Sequence, residues 1–215
     1  MAESSLSLLD ALVRAMSARD GAIRLHADRV QGYALALARQ ASISDERVLA
    51  AIGTAALMHD VGKLAIPDRL LHKPGPLTPG EYEEVKQHAA IGAEMLAAVP
   101  FPGPLALFVR HHHENWDGSG YPDRLRHDAI PLGSRVLAVA DCYDALTSDR
   151  PYRRALTSDR AIAMIYERRG TKYDPAITDA FLNVMLNLRP TVAAERVVKA
   201  LALTGSRRQL EAVGR

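Results

Sequence analysis

Apolar residues recur along this chain at steps of three and four, the spacing that places side chains on one face of an α-helix. The pattern is clear over residues 8–16, 30–38 and 48–57. Aromatic residues make up only 5% of the 215 residues, and β-branched residues are sparse, so segments that favour β-strands are rare. The sequence therefore predicts an all-α protein.

Local signals mark where several helices begin. Thr78 and Glu81 have the spacing of a capping box, and the helical repeat that follows them puts His88 on an apolar face. An earlier helix is predicted to begin near Ser44 and to end at residues 59–60, a His-Asp pair. Histidines thus fall at helix ends and on inward faces.

Other signals mark loops and helix ends. Two segments rich in Pro and Gly, residues 66–79 and 115–131, are predicted to be loops. Between them, a helical face is predicted to run through His112. A later helix that starts near Ser158 is predicted to end at Gly170 as a glycine cap.

Charge and cysteine content exclude several classes of protein. The 27 basic and 25 acidic residues give a net charge of +2, too small for a protein that coats nucleic acid. The single cysteine, Cys142, cannot form an intrachain disulfide, which favours a reducing compartment. The longest uncharged run, residues 95–109, is shorter than the ~20 apolar residues that span a bilayer, and the N-terminus does not have the pattern of a signal peptide. We therefore expect a cytoplasmic protein without a membrane span.

Nitrogen and oxygen donors for metal ions are abundant in this chain, which has eight histidines. Such donors suit Mn, Fe, Zn, Co or Ni. A structural zinc site is less expected, because such sites usually contain thiolates. Asp60 follows His59 directly, and a carboxylate can bridge two cations. Two bridged metals can activate water against a phosphodiester. The candidate ligands are His26, His59, Asp60, His88, His112, His113 and Asp141.

Each of these residues also has an ordinary interpretation when it is taken alone. A histidine such as His26 is commonly a surface or capping residue, and one such as His88 is commonly buried on a backbone carbonyl. Their joint placement favours ligation, because uncompensated ionisable groups are costly to bury. The remaining three histidines, His72, His111 and His127, are expected to have no part in the site.

Three further features suit a ligand rich in phosphate. Lys63 lies one short turn after the His-Asp pair, and Arg150 and Arg153 flank another turn. Glycines in residues 117–122 allow close backbone approach. The arginines could equally form a solvated face. Within and beside the loop, Tyr121 and Trp116 could stack on a base or only pack the loop onto the domain.

Together these motifs resemble the HD-GYP domain of bacterial signalling proteins, and the likeness covers roughly residues 20–181. The resemblance implies an HD-domain-type helical bundle with a binuclear metal site. It also implies hydrolysis of cyclic di-GMP to linear pGpG, with slow further hydrolysis to GMP in some members. The matching segments are 59–63 (HDVGK), 112–122 (HHENWDGSGYP), 130–131 (IP), 140–148 (ADCYDALTS) and 150–152 (RPY).

The resemblance also implies roles for individual residues. It assigns the seven candidate ligands named above to the metal site, with His26 as the family's upstream histidine. Asp60 and Lys63 are the expected catalytic residues. The expected substrate contacts are Lys63, Gly120, Tyr121, Pro122, Arg150 and Arg153. The ligand histidines are expected to be held by Glu114, Asp117 and Asp144.

One departure from the family pattern bears on the metal count. Ala22 stands where members with a third metal carry a glutamate, and a methyl group cannot bind a cation. Two divalent ions, Fe or Mn, are therefore expected, and a third is not. The same departure makes efficient hydrolysis of pGpG to GMP less expected.

The predicted organisation is an N-terminal helix over residues 1–19, the HD-GYP domain over 20–190 and a helical extension over 191–215. The expected partners are cyclic di-GMP and a regulatory protein, and the first helix could support a homodimer. Since only about 20 residues precede the domain, the chain is stand-alone, controlled by a partner, or cut from a longer protein.

Two alternatives to this function stay open. One is a receptor that binds a cyclic dinucleotide with little turnover and signals to a partner protein. The other is an HD-type hydrolase of another nucleotide such as cGAMP. The residue types alone assign no contact to a base edge, so they do not distinguish cyclic di-GMP from cGAMP.

Overall fold

The computed structural model of the chain describes residues 2–19, 21–149 and 153–188, without the side chains of residues 2–6, 22 and 188. These residues contain helices and no β-strand, which confirms the all-α prediction. In chain order the α-helices are α1 (Ala2–Arg19), α2 (Gly21–Gln40), α3 (Glu46–Met58), α4 (Asp68–Leu71), α5 (Pro79–Ala97), α6 (Leu105–Arg110), α7 (Leu132–Thr147), α8 (Ser158–Tyr166) and α9 (Pro175–Leu188). Two 3-10 helices cover Val61–Ala65 and His127–Ala129.

The core is built around α2, α3 and α7, which pack against one another, and α9 packs on α2 and α7. Val30, Ile52 and Val136, one from each of the three central helices, are fully buried. The apolar face of α1 belongs to the same core, since Leu9 and Met16 are also buried. The predicted N-terminal helix therefore packs on the domain that follows it.

α3 is the central apolar helix, and it delivers the His-Asp pair. It begins where the Asp45 carboxylate accepts hydrogen bonds from the backbone N–H groups of Arg47 and Val48, two and three residues later, and it ends at Met58. The segment Glu46–Ala65 is long and apolar enough to cross a membrane by length and composition. However, 61% of an apolar 18-residue stretch within it is buried inside the fold, as expected of a core helix.

α5 and α6 bring the next histidines toward this pair. The capping box of Thr78 and Glu81 is present, and His88 is buried on the inner face of α5 as predicted. α6 ends at Arg110, so the predicted continuation of this helix through His112 is wrong. The chain turns there because the Glu114 N–H bonds the His111 carbonyl in a tight turn.

Two other predicted boundaries are corrected by the structure. Residues 66–79 contain the short helix α4, which starts directly after Pro67, whose ring presets the backbone at the helix start. Gly170 does not cap α8, because the helix ends at Tyr166 and the Gly170 N–H bonds the Tyr173 carbonyl in a later turn with φ of 78°. The predicted extension over residues 191–215 lies outside the described residues.

The turn after the His-Asp pair packs directly on α5. A Cβ atom at Gly62 would overlap the His88 carbonyl and lie 2.6 Å from the Gly92 nitrogen. We expect Gly62→Ala to lower the free energy of unfolding by roughly 1–3 kcal/mol, because backbone atoms on both sides would have to move apart. Chemical denaturation measures this change.

The matched control is Gly32→Ala in the exposed interior of α2, where a new Cβ atom meets nothing within 4 Å. That substitution is expected to raise the free energy of unfolding by about 0.5–1 kcal/mol, since alanine favours a helix over glycine. Equal stability of the two variants would show that Gly62 is not needed for this close approach.

Candidate metal centre

The first group of donor atoms comes from α2, the end of α3 and α7. His26, His59 and Asp60 each offer one ligand atom, and these atoms lie within 4.8 Å of one another. Asp141 of α7 joins them, because its Oδ1 lies 3.4 Å from the His26 Nε2 and 3.9 Å from the His59 Nε2. Four predicted ligands thus converge at one point.

The second group comes from α5 and the turn after α6. The ligand atoms of His88, His112 and His113 also lie within 4.8 Å of one another. Asp60 lies between the two groups, because its Oδ2 is 3.5 Å from the His59 Nε2 and its Oδ1 is 3.6 Å from the His88 Nε2. One carboxylate therefore presents one oxygen to each group.

Backbone carbonyls orient three of these histidines. The Nδ1 atoms of His59, His88 and His112 lie 2.8, 2.8 and 2.6 Å from the carbonyl oxygens three residues earlier. A carbonyl oxygen only accepts, so each Nδ1 carries the proton and each Nε2 presents a lone pair to the centre. His26 is different, since its Nδ1 donates to the Asp144 carboxylate at 2.7 Å.

The expectation that Glu114 and Asp117 hold the ligand histidines is not met. The Glu114 Oε1 accepts from the Asp123 N–H at 2.7 Å, and the Asp117 Oδ1 accepts from the Ser119 N–H at 2.9 Å. Both carboxylates shape the glycine-rich loop instead. Three of the histidines need no carboxylate, because each imidazole reaches a carbonyl one turn back on its own chain segment.

The geometry of the donor atoms suits a cation. The Nε2 atoms of His26 and His59 lie 3.3 Å apart, so one positive charge between them would contact both. The buried His112 Nε2 has no hydrogen-bond partner among the described residues, which would be costly without a ligand. Imidazole and carboxylate donors in this number fit divalent transition metals.

The pKa shifts of the site residues also favour metal binding. Burial alone would raise the pKa of Asp60, but Lys63, His59 and His88 hold it well below its usual range. Burial lowers the pKa of His112 well below its usual value and that of His113 to about 3. These residues are therefore an ionised carboxylate and neutral imidazoles at neutral pH, the forms that bind metal.

The pKa of His26 shifts in the opposite direction. Burial would lower its pKa, but hydrogen bonds to Asp141 and Asp144 raise it to about 9.

Lys63 lies beside the centre, and Arg19 holds its backbone. The Lys63 Nζ is 2.7 Å from the Asp60 Oδ2, and its side chain is partly exposed. Arg19, at the end of α1, donates to the carbonyls of Lys63 and Ile66 at 2.5 and 2.6 Å. Sequence analysis missed Arg19, because nothing local to it signals a contact with a turn more than 40 residues later.

A cavity of about 680 Å³ opens onto the second group of donors. Three predicted ligands, His112, His113 and Asp141, line it together with the glycine-rich loop and the facing sides of α5 and α7. Three cationic residues that sequence analysis did not select also line this cavity: Lys86, Arg124 and Lys172.

The predicted substrate contacts lie in several places. Gly120, Tyr121 and Pro122 line the cavity, whereas Lys63 and Arg153 do not belong to its lining. Arg153 donates instead to the Ala145 carbonyl near the end of α7. Arg150, and the side chain of Ala22 that bears on the third metal, lie outside the described residues.

The aromatic residues of the glycine-rich loop have separate roles. The Tyr121 ring lies 4.9 Å from the His113 ring at the cavity wall. Trp116 packs against His127, with ring centroids 5.0 Å apart, and against Arg135, whose guanidinium carbon is 5.4 Å from its ring centre. Of the two interpretations of Trp116, packing of the loop onto the domain agrees with these contacts.

Two residues not selected as ligands anchor the same loop from α6. His111 is buried, and its Nε2 lies 2.9 Å from the Asp123 Oδ2. Arg110 binds both oxygens of that carboxylate at 2.7 and 2.8 Å. His111 therefore helps to hold the loop beside the site, whereas its neighbours His112 and His113 offer ligand atoms.

The chain is similar to known proteins over most of its length. The sequence matches the HD domain family over residues 8–177. It is 45% identical over 182 residues to the cyclic di-GMP phosphodiesterase response regulator RpfG of Xanthomonas campestris, covering 84% of this chain and 48% of that protein. It is 40% identical over 166 residues to the 3'3'-cGAMP-specific phosphodiesterase 3 of Vibrio cholerae, covering 77% of this chain and 35% of that protein.

A solved structure with the same fold is an HDGYP protein from Bdellovibrio bacteriovorus. It matches with a TM-score of 0.62 at 19% sequence identity, covering 76% of this chain and 52% of that chain. The chain thus spans half or less of the length of the two curated relatives named above.

Proposed function

This chain belongs to the HD domain family and carries the HD-GYP motifs, and from this premise we propose that it hydrolyses cyclic di-GMP to linear pGpG. The observation that carries the proposal is the Asp60 carboxylate, which presents one oxygen to each of two groups of histidines. The likeness to a relative named as a cyclic di-GMP phosphodiesterase supports the choice of substrate.

The proposed cofactor is a pair of divalent ions, Fe or Mn. His26, His59 and Asp141 would hold one ion, the group of His88, His112 and His113 would hold the other, and Asp60 would contact both. When bound, such a pair supplies an activated water and neutralises charge on the phosphodiester. No third ion is proposed, because Ala22 offers no ligand atom.

The protein's own residues would position the phosphodiester and move one proton. Lys63, which Asp60 holds at 2.7 Å, is proposed to stabilise the negative charge that gathers on the phosphate oxygens. Its Nζ can also donate a proton to the leaving 3′-oxygen. Arg150 and Arg153 are proposed as further phosphate contacts, and Gly120, Tyr121 and Pro122 as the loop that holds a guanine base.

The second phosphate of a cyclic dinucleotide needs its own contact, since only one phosphate can lie at the metals. Lys172 and Arg124 line the cavity and form no ion pair with a carboxylate in the described part of the chain, whereas Lys86 is paired with Glu83 at 2.5 Å. Lys172 is the proposed contact. We expect Lys172→Ala to raise KM about tenfold with kcat nearly unchanged, because such a contact stabilises bound substrate and transition state alike.

Steady-state kinetics with cyclic di-GMP measures this effect. The matched control is Lys73→Ala, which removes a lysine that is paired with Glu81 away from the cavity. An unchanged KM in the Lys172 variant would contradict the proposed phosphate contact.

The experiment that tests the main proposal joins metal analysis to product analysis. Protein prepared without oxygen is assayed for bound Fe and Mn and is then incubated with cyclic di-GMP. Two metal ions per chain and release of pGpG support the proposal. Metal-loaded protein that binds the dinucleotide and returns it intact would favour the receptor, with a partner protein as its output.

A second candidate substrate is 3'3'-cGAMP, because a relative with 40% identity is named as specific for it. The two dinucleotides differ in one base, so the discrimination depends on base contacts in the cavity and not on the metals. Values of kcat/KM for both substrates, measured with one preparation, decide between them.

A further inference from the structure

One carboxylate behind the metal centre is shared by a ligand histidine and an arginine. Asp144, one turn after Asp141 on α7, is buried with only 1% of its side chain exposed. Its Oδ2 accepts from the His26 Nδ1 at 2.7 Å and from the Arg29 Nη2 at 2.9 Å, and its Oδ1 accepts from the Arg29 Nε at 2.5 Å. Arg29 thus contacts both oxygens of the Asp144 carboxylate, which orients His26.

His26 depends on this carboxylate more than its neighbours depend on any side chain. His59, His88 and His112 donate to carbonyls of their own chain segments, which the local backbone holds in place. His26 donates to a side chain from another helix, 118 positions away in the sequence. A carboxylate can rotate about its own bonds, and a two-point contact with a guanidinium stops that rotation.

Arg29 itself lies away from the cavity where the reaction is proposed to occur. Its side chain is 43% exposed, and its Nη2 also donates to the Ser148 Oγ at 2.9 Å. Arg29 and Asp144 line a separate cavity of about 250 Å³, which shares no lining residue with the cavity of about 680 Å³ beside the second group of donors. The hydrogen bonds that connect Arg29 to the site therefore run to Asp144, either directly or through Ser148.

We propose that Arg29 is a positioning residue that acts through Asp144 to hold the His26 Nε2 toward the first group of ligand atoms. The inference rests on the two-metal centre proposed above. Its specific consequence is that the affinity for one metal ion depends on Arg29 and the affinity for the other does not. The independent ion is the one at His88, His112 and His113, whose groups do not contact Asp144 in the described structure.

Manganese titration of the metal-free protein tests this asymmetry without any substrate. In Arg29→Ala, one of the two Mn²⁺ affinities is expected to stay the same and the other to fall about 10- to 100-fold, the usual effect of losing a residue that orients a metal ligand. Arg29→Lys, which keeps one charged contact, is expected to recover part of this loss. Electron paramagnetic resonance should show isolated Mn²⁺ in place of a coupled pair.

The matched control is Arg24→Ala, which removes an exposed arginine of the same helix from its pair with Asp28 at 3.0 Å. It should bind two Mn²⁺ ions as the unmodified protein does. Equal Mn²⁺ affinities in the Arg29 and Arg24 variants, or equal weakening of both ions in Arg29→Ala, would overturn the inference.

Two further outcomes are also decisive. If Arg29→Ala does not fold, Arg29→Lys decides alone, because unchanged affinities in a folded Lys variant overturn the proposal and a selective loss supports it. Unmodified protein that binds fewer than two Mn²⁺ ions overturns the two-metal centre, and this inference with it. Failure to release pGpG leaves the metal titration unaffected, so the two proposals fail separately.

Discussion

Asp60→Ala is expected to remove bound metal and phosphodiesterase activity together, with a loss in kcat/KM of about 10³-fold or more. The Asp60 carboxylate is buried and presents one oxygen to His59 and the other to His88. Without it, the second group of histidines keeps no anion and the first keeps only Asp141, so two cations would repel each other across the gap. Metal analysis and the rate of pGpG release measure both losses.

Two controls separate this effect from loss of fold. Asp60→Asn keeps the shape of the side chain and removes its charge, so it should lose metal while circular dichroism stays helical. Asp28→Ala removes an exposed carboxylate from an ion pair on α2 and should keep both metal and activity. An Asp60→Ala protein that retains two metal ions would show that this carboxylate does not bridge them.

Lys63→Ala is expected to separate chemistry from metal binding. Lys63 contributes a cation next to the centre but no ligand atom, because its Nζ donates to the Asp60 Oδ2 at 2.7 Å. Loss of a charge that stabilises the transition state lowers the rate by about 10²- to 10³-fold. Since this contact strengthens as charge develops on the phosphate, kcat and kcat/KM should fall together while two metal ions remain bound.

Rate and metal content, measured on the same preparation, check this expectation. Lys63→Arg should recover part of the rate, whereas Lys73→Ala, in which the lost lysine pairs with Glu81, should behave as unmodified protein. Loss of metal from Lys63→Ala would instead mean that Lys63 serves only to hold Asp60.

Sequence analysis succeeded where the physical cause is local. A capping box links Thr78 to Glu81, three residues apart, and the repeat of α5 then places His88 inside. The helix predicted to begin near Ser44 and to end at residues 59–60 is also present, as α3 (Glu46–Met58) with Asp45 as its cap. Each of these features depends on residues within one or two turns of each other, so the sequence of the segment contains its cause.

Sequence analysis was wrong where neighbours compete for a side chain. We expected Glu114 and Asp117 to orient the histidines, because these carboxylates are close to them in the sequence. Both carboxylates instead accept hydrogen bonds from backbone N–H groups of the loop. Gly170 was expected to cap α8 because glycine is common at helix ends. Its positive φ instead belongs to a turn beyond the end of α8. Residue type alone does not decide which partner is nearest.

The sequence by itself determined the helical class, the donor types and the motif with its expected chemistry. Only the tertiary structure decided that the two Asp60 oxygens face different histidines, that Arg19 holds the turn of Lys63, and that Lys172 lines the cavity. It also decided the pairing of Arg29 with Asp144, which lies 115 positions later. The physical reason is that such contacts form only when helices distant in sequence pack on a shared core, and that packing reflects the whole apolar pattern at once.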